Sequence, residues 1–411
     1  MKIKVSDPNI YVAKDIKKKH LKELADYRDN FLRKSPELRS LFIEMTLNCN
    51  QHCRHCGSSC GDVVMQDQLT DQEIKDFLLQ TKNDLEKNSK KLPFLNVTGG
   101  EPLLRKNFVE LMTYAKELGY NWGMTTNALL VTQKLAKSLK EAGMYSVGVS
   151  LDGLEETHDW FRQSPGSYKR VLKATKILVE TGFDNVMVTT VVHKRNINEL
   201  EEIYKVVKEL NCDTWRIINV DPIGRAATDD EIRLDTMDYK YIIDFITENR
   251  AKDNELEICY GCNHFLGYKY EREIRPWYFL CNAGVYTAGI FYNGDIGACL
   301  DIARLPETIQ GNIRTDNFYD TWINKFEIFR YDRTLESNTC SQCKHRKECG
   351  GDGFHTWNVE TKEPNLCMYN ELKKAKKIEK EQLKCTNKQF KLSKQQEKTK
   401  KSKKSKSKNK K

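Results

Sequence analysis

Three cysteines fall within eight residues in the segment CNQHCRHC, at positions 49, 53 and 56. Thiolates are soft ligands, and several on one loop point to zinc or to an iron-sulfur cluster. On the residues alone, two ways of completing the site are open. A fourth protein ligand would close a structural zinc site, and His52 and His55 are near enough in sequence to supply it. Alternatively, the three sulfurs hold three irons of a cubane and leave the fourth iron open as a reaction site.

Further chemistry-bearing residues follow. Thr98, Gly99, Gly100, Glu101 and Pro102 read TGGEP, where two glycines permit close backbone approach and the glutamate offers an acceptor for an ammonium group. SLDG at 150–153 is followed by Arg162, and Asn127 ends a TTN run. Toward the C-terminus, Cys281 and Cys299 bracket a β-hairpin pattern with NGD at its turn, which would bring both thiols to one end. Cys340, Cys343 and Cys349 form CSQCKHRKEC, with Cys367 further on, a spacing that a zinc knuckle would also suit.

These residues need elements to position them. From about 40 to 250, β-rich apolar runs alternate with amphipathic stretches, the pattern of a parallel sheet built from βα units. Strands are predicted at 40–46, 93–99, 121–127, 145–151, 185–192 and 214–220, with helices between them and Gly119, Gly143 and Gly182 as C-caps. The expected fold is α/β, a partial (β/α)6 barrel whose chemistry gathers at the carboxyl ends of its strands. Cysteines 49, 53 and 56 then lie in the first βα loop, at the barrel mouth.

The predicted organisation is an N-terminal helical cap (1–39), the barrel (40–255), a connecting segment (256–280), a cysteine-rich auxiliary domain (281–370), a helical extension (371–383) and a disordered basic tail (384–411). The tail carries thirteen lysines and one glutamate, so it accounts for +12 of a net charge of +10 and leaves the remainder near −2. A Lys/Ser/Gln tract of this kind cannot offset the entropy of ordering and gives no specific nucleic-acid signature. The sequence shows no signal segment and no membrane span, so the chain is expected to be cytoplasmic, where 14 clustered cysteines are metal ligands rather than disulfides.

The CxxxCxxC spacing after the first strand, with TGGEP one βα unit later, resembles the radical S-adenosylmethionine (SAM) superfamily. The resemblance implies a 4Fe-4S cluster on Cys49, Cys53 and Cys56 whose open iron is chelated by SAM. It implies further that Gly99, Gly100 and Glu101 meet the cofactor's amino group, that Ser150 and Arg162 hold its carboxylate, and that Asn127 faces the ribose. An aromatic residue commonly precedes the third cysteine in that family; His55 stands here, and its main chain is the expected contact.

The C-terminal cysteines are similar to the SPASM extension of peptide- and protein-modifying members. That likeness implies one or two auxiliary iron-sulfur clusters: an outer one on Cys340, Cys343, Cys349 and Cys367, and an inner one on Cys281 and Cys299. The cysteine usual three residues after the outer set's third is replaced by Gly353, so Cys259, Cys262 or Asp352 could complete the inner site. Trp215, Arg216, Pro222, Gly224 and Arg225 also resemble SPASM relatives.

The implied activity is reductive cleavage of SAM to a 5'-deoxyadenosyl radical, which takes hydrogen from a ribosomal peptide or protein side chain to cross-link or oxidise it. The implied partners are a precursor peptide or protein and a reductant such as flavodoxin or ferredoxin. Sulfatase maturation is an alternative, with Asp301 as a candidate base near Cys299. A tetrapyrrole or other small-molecule substrate is another, and a non-catalytic zinc-binding scaffold lies outside the class.

Overall fold

The structure, a computed structural model, describes residues 13–61 and 67–386. Most of the basic tail therefore lies outside the described residues. The six predicted strands are present as β1 (Ser40–Glu44), β2 (Phe94–Thr98), β3 (Trp122–Thr126), β4 (Met144–Ser150), β5 (Asn185–Val192) and β6 (Thr214–Asn219). They pair in parallel in chain order, so every carboxyl end points to one rim.

Helices return the chain between strands. After α1 (Lys14–Tyr27), α2 (Asp71–Lys87) follows β1 and α3 (Phe108–Glu117) follows β2, while α4 (Gln133–Glu141) precedes β4. Next come α5 (Glu155–Arg162) and α6 (Ser167–Thr181), α7 (Leu200–Glu209) and α8 (Thr236–Lys252). The start of α2 is set locally: the Thr70 hydroxyl accepts from the Glu73 amide and the Glu73 carboxylate accepts from the Thr70 amide, a reciprocal cap. Between helices and sheet, Leu41, Leu95, Trp122, Val149, Val188 and Trp215 are buried in one continuous core.

Two features extend the sheet beyond six strands. A seventh parallel strand, β7 (Glu257–Tyr260), lies in the segment read as a connector and pairs with β6. At the opposite edge, β8 (Thr287–Ile290) from the auxiliary region pairs in parallel with β1, and β9 (Asp295–Gly297) and β10 (Gly311–Asn312) follow antiparallel. The hairpin predicted around NGD is thus the β8–β9 pair, and Gly294, at φ 90°, supplies the left-handed residue of its turn.

Contacts of α1 run to the segment between β7 and the auxiliary region and to the auxiliary region itself. Leu21 packs with Phe265 and Phe279, Lys17 pairs with Glu273, and the helix continues into a turn whose Arg28 donates to the Lys347 carbonyl at 2.6 Å.

Candidate active site

The loop after β1 carries the first three cysteines, and two other segments clamp it. From the β2 side, the Met45 amide donates to the Thr98 carbonyl at 2.8 Å, Gly100 to Thr46 at 2.7 Å and Glu101 to Asn48 at 2.8 Å. The two glycines of TGGEP are needed for this approach: a Cβ on Gly99 would come within 2.4 Å of the Thr46 oxygen, and one on Gly100 within 2.2 Å of the Asn48 oxygen. They pack against the loop that bears the cysteines.

The segment after β6 clamps the loop's other side. Arg225 donates through Nε to the Cys53 carbonyl at 2.8 Å, through Nη1 to the Cys60 carbonyl at 3.1 Å, and through its amide to the Cys56 carbonyl at 3.1 Å. Gly224, at φ 53°, has no room for a side chain, because a Cβ would lie 2.3 Å from the Cys56 oxygen. Arg54 is tied to Asp229 by two hydrogen bonds of 2.7 and 2.9 Å. These contacts are a role for Gly224 and Arg225 that the sequence left open.

Each of the three sulfurs meets an N–H donor. Asn127 Nδ2 lies 3.9 Å from Cys49 Sγ, Arg162 Nη1 lies 3.6 Å from Cys53 Sγ, and the Cys60 amide donates to Cys56 Sγ at 3.4 Å. Such donors suit thiolates bound to iron, whose negative charge needs partners in a partly buried site. Burial raises the Cys49 thiol to about 11 and also pushes up Cys53. Cys56 is held below its usual value because the Cys60 side chain hydrogen-bonds its sulfur, so Cys60 is a neighbour of the third ligand position. A cluster bound through three cysteines fits this donor set.

Glu101 is fully buried at the end of β2, and its carboxylate accepts from the Thr126 hydroxyl at 2.9 Å, the Asn127 amide at 2.8 Å and the Leu103 amide at 3.1 Å. Burial raises its pKa against those bonds. Asn127 in turn donates to Asn50 Oδ1 at 2.7 Å, so Glu101 and Asn127 form a chain from β2 through β3 to the cysteine loop.

Ser150 closes β4 and is largely buried. Arg162, at the end of α5, is no surface residue: Asp152 Oδ2 takes both its Nε and Nη2 at 2.5 Å, and Asp152 Oδ1 accepts from the Val191 amide at 2.7 Å. Burial alone would raise the Asp152 pKa, but the Arg162 charge prevails and holds it low. Sequence reading missed Asp152, although it stands within SLDG. The His55 ring stacks on Phe161 with centroids 4.2 Å apart, and Phe161 stacks on His193 at 3.9 Å. Burial lowers His55 to about 3, so the ring is neutral.

In the auxiliary region, the charge environment of Cys349 includes Cys367 and Cys340, and that of Cys367 includes Cys340 and Cys343, so these four thiols are neighbours. The Asp352 amide donates to Cys349 Sγ at 3.2 Å. Cys281 and Cys299 are likewise electrostatic neighbours, and the Phe354 amide donates to Cys281 Sγ at 3.4 Å. Asp301 is exposed, with its carboxylate 4.0 Å from Cys299 Sγ.

Cys262 Sγ lies 3.8 Å from the Asn219 carbonyl, while Cys259 is buried in β7 beside Arg216. The Asp352 carboxylate is turned to the Phe265 amide at 2.7 Å and to His264 Nδ1 at 3.3 Å.

The chain is similar to several enzymes along most of its length. The chain is 28% identical over 327 residues to the AdoMet-dependent heme synthase of Methanosarcina barkeri, covering 76% of this chain and 90% of that protein. It is 29% identical over 312 residues to the mycofactocin maturase MftC of Mycolicibacterium smegmatis, covering 75% and 76%. Among solved structures, anSMEcpe with bound AdoMet has the same fold at a TM-score of 0.65 and 20% identity, over 82% of this chain and 95% of that one. Streptococcus suis SuiB bound to S-adenosylmethionine follows at 0.63 and 20%, over 84% and 80%.

Residues 43–207 match the Radical SAM superfamily, and residues 281–344 match SPASM, an iron-sulfur cluster-binding domain. The chain is therefore an enzyme of the radical SAM superfamily with a SPASM domain, and its cofactors are a 4Fe-4S cluster, SAM and one or two auxiliary iron-sulfur clusters.

Proposed function

We propose that Cys49, Cys53 and Cys56 hold the SAM-binding cluster at the barrel mouth and that the enzyme takes a hydrogen atom from a carbon of its substrate. The observation that carries this reading is the single loop on which three sulfurs each meet an N–H donor, clamped by β2 and by the segment after β6. When bound, the cluster and SAM supply an electron and a 5'-deoxyadenosyl radical. The protein's part is to hold the loop rigid, screen the site from water and orient the substrate. Ser150 and Arg162 lie on the β4 side, where Asp152 orients the guanidinium and one of its nitrogens is directed at Cys53.

The substrate reading favoured by similarity is a tetrapyrrole. The chain covers 89–90% of the two heme synthases from Methanosarcina barkeri and Oleidesulfovibrio alaskensis, at 28% identity to each, against 76% of the M. smegmatis mycofactocin maturase. A ribosomal peptide or protein side chain is the second reading, supported by 29% identity to that maturase over three-quarters of each chain. The test is anaerobic turnover of the reconstituted enzyme with SAM and dithionite. 5'-Deoxyadenosine should form, and deuterium from a labelled substrate should appear in it. A propionate-bearing tetrapyrrole that transfers deuterium supports the first reading; transfer only from a peptide supports the second.

A further inference from the structure

Outside the cysteine sites, one group of side chains is arranged like metal ligands. Asp221 follows β6, His264 follows β7, and His355 belongs to the turn after Cys349. Their ligand atoms all lie within 4.8 Å of one another, and no other group of three or more such side chains does so among the described residues. His264 Nε2 is 3.4 Å from Asp221 Oδ1, and His355 Nε2 is 3.1 Å from Asp221 Oδ2. Asp221 Oδ1 also accepts from Asn219 Nδ2 at 2.7 Å.

We propose that Asp221, His264 and His355 hold one divalent cation of the zinc or iron(II) class. Two imidazoles and one carboxylate are a recurrent donor set for both ions. Of the two approaches to Asp221, the 3.4 Å one from His264 has the spacing of co-ligands, while the 3.1 Å one from His355 suits a hydrogen bond equally well. N–H···O hydrogen bonds cluster at about 2.9–3.0 Å, whereas ligands about 2.0–2.1 Å from a tetrahedral ion lie about 3.3–3.4 Å from each other.

What stands behind the ligands agrees as well. A metal-binding histidine usually gives its other ring nitrogen to a carboxylate, which fixes its tautomer. His264 Nδ1 faces Asp352 Oδ2 at 3.3 Å, and Asp352 is itself fastened by the Phe265 amide and by Arg333, which donates to its carbonyl at 2.6 Å. The backbone of His264 is held by Arg275, which donates to its carbonyl at 2.9 Å.

Gly353 makes room for the third ligand. A Cβ there would lie 2.4 Å from His355 Cε1 and 2.6 Å from the Asn263 carbonyl, so His355 occupies the space a residue at 353 would need. Three protein donors leave a coordination position free. The His264 side chain is fully buried, while those of Asp221 and His355 keep 9% and 14% of their surface, so the free position opens on their side. Asp221 lies just past the carboxyl end of β6, on the rim that carries the first cysteine loop, which places the open position for a substrate oxygen or nitrogen.

The test counts metal in the anaerobically purified holoenzyme after incubation with Zn(II) and gel filtration. Wild type should carry one equivalent more than His355→Ala and Asp221→Asn, as zinc or as iron unmatched by sulfide, while cluster iron and sulfide stay equal in all three. Zn(II) should also raise the Tm of wild type but not of His355→Ala. Because the His355 side chain is partly exposed, that variant carries the test if Asp221→Asn fails to fold. Equal metal content in wild type and His355→Ala overturns the proposal.

Discussion

The guanidinium of Arg162 lies between Asp152 and Cys53, with Nη2 2.5 Å from the carboxylate and Nη1 3.6 Å from the sulfur. One arginine thus joins a buried charge at the end of β4 to a cysteine of the first loop. Its loss has two separable effects, on folding and on the cysteine site.

Arg162→Ala leaves Asp152 buried without its partner, a loss of about 3 to 5 kcal/mol. Anaerobic thermal unfolding should show a lowered Tm, and Asp152→Asn added to Arg162→Ala should recover part of it. An unchanged Tm for the single variant would remove the ion pair from the account.

Replacing Cys53 by alanine should abolish 5'-deoxyadenosine formation while leaving the auxiliary iron in place, since the SPASM cysteines are on other segments. Iron and sulfide analysis beside a product assay reads both. Persistent product would contradict the three-cysteine assignment.

Gly224→Ala should lower iron at the first loop by up to four per chain without touching the auxiliary clusters. Its φ of 53° and the 2.3 Å approach to the Cys56 oxygen leave no space for a methyl group. The matching control is Gly166→Ala, where φ is 74° but nothing lies within 4 Å. Equal iron loss in both variants would mean that backbone strain alone, and not contact with the loop, is at work.

Stability should fall as pH drops from about 6.5 to about 4. Burial lowers His158 to about 4, and its Nδ1 accepts from the Asp152 amide at 3.1 Å, so the folded state needs the neutral ring. The unfolded chain binds that proton near pH 6.5, hence stability is full above that value and is lost below it, by roughly 3 kcal/mol for this one group. Denaturation of His158→Gln should show a flatter slope across the window; an identical slope would exclude His158 as a cause.

A variant with Cys49, Cys53 and Cys56 all replaced by alanine isolates the auxiliary iron. Adding Cys281→Ala or Cys299→Ala should then lower the iron count further if an inner cluster of altered ligation exists. A count that stays at four would assign all remaining iron to Cys340, Cys343, Cys349 and Cys367.

The alternation of apolar runs was enough to place β1 to β6 within one or two residues, because strand periodicity is a local property. The first cysteine loop was legible for the same reason: three ligands within eight residues need no distant partner. Pairing between distant segments carries no such local mark. The parallel union of β8 with β1 joins residues about 250 apart, and only the packed sheet brings them together. The family resemblance implied that Arg162 holds the cofactor carboxylate; the direction taken by α5 is what brings its guanidinium to Asp152 and Cys53. Asp221, His264 and His355 show least in the sequence, since they come from three segments spread over 134 residues and converge only where β6, β7 and the turn after Cys349 meet.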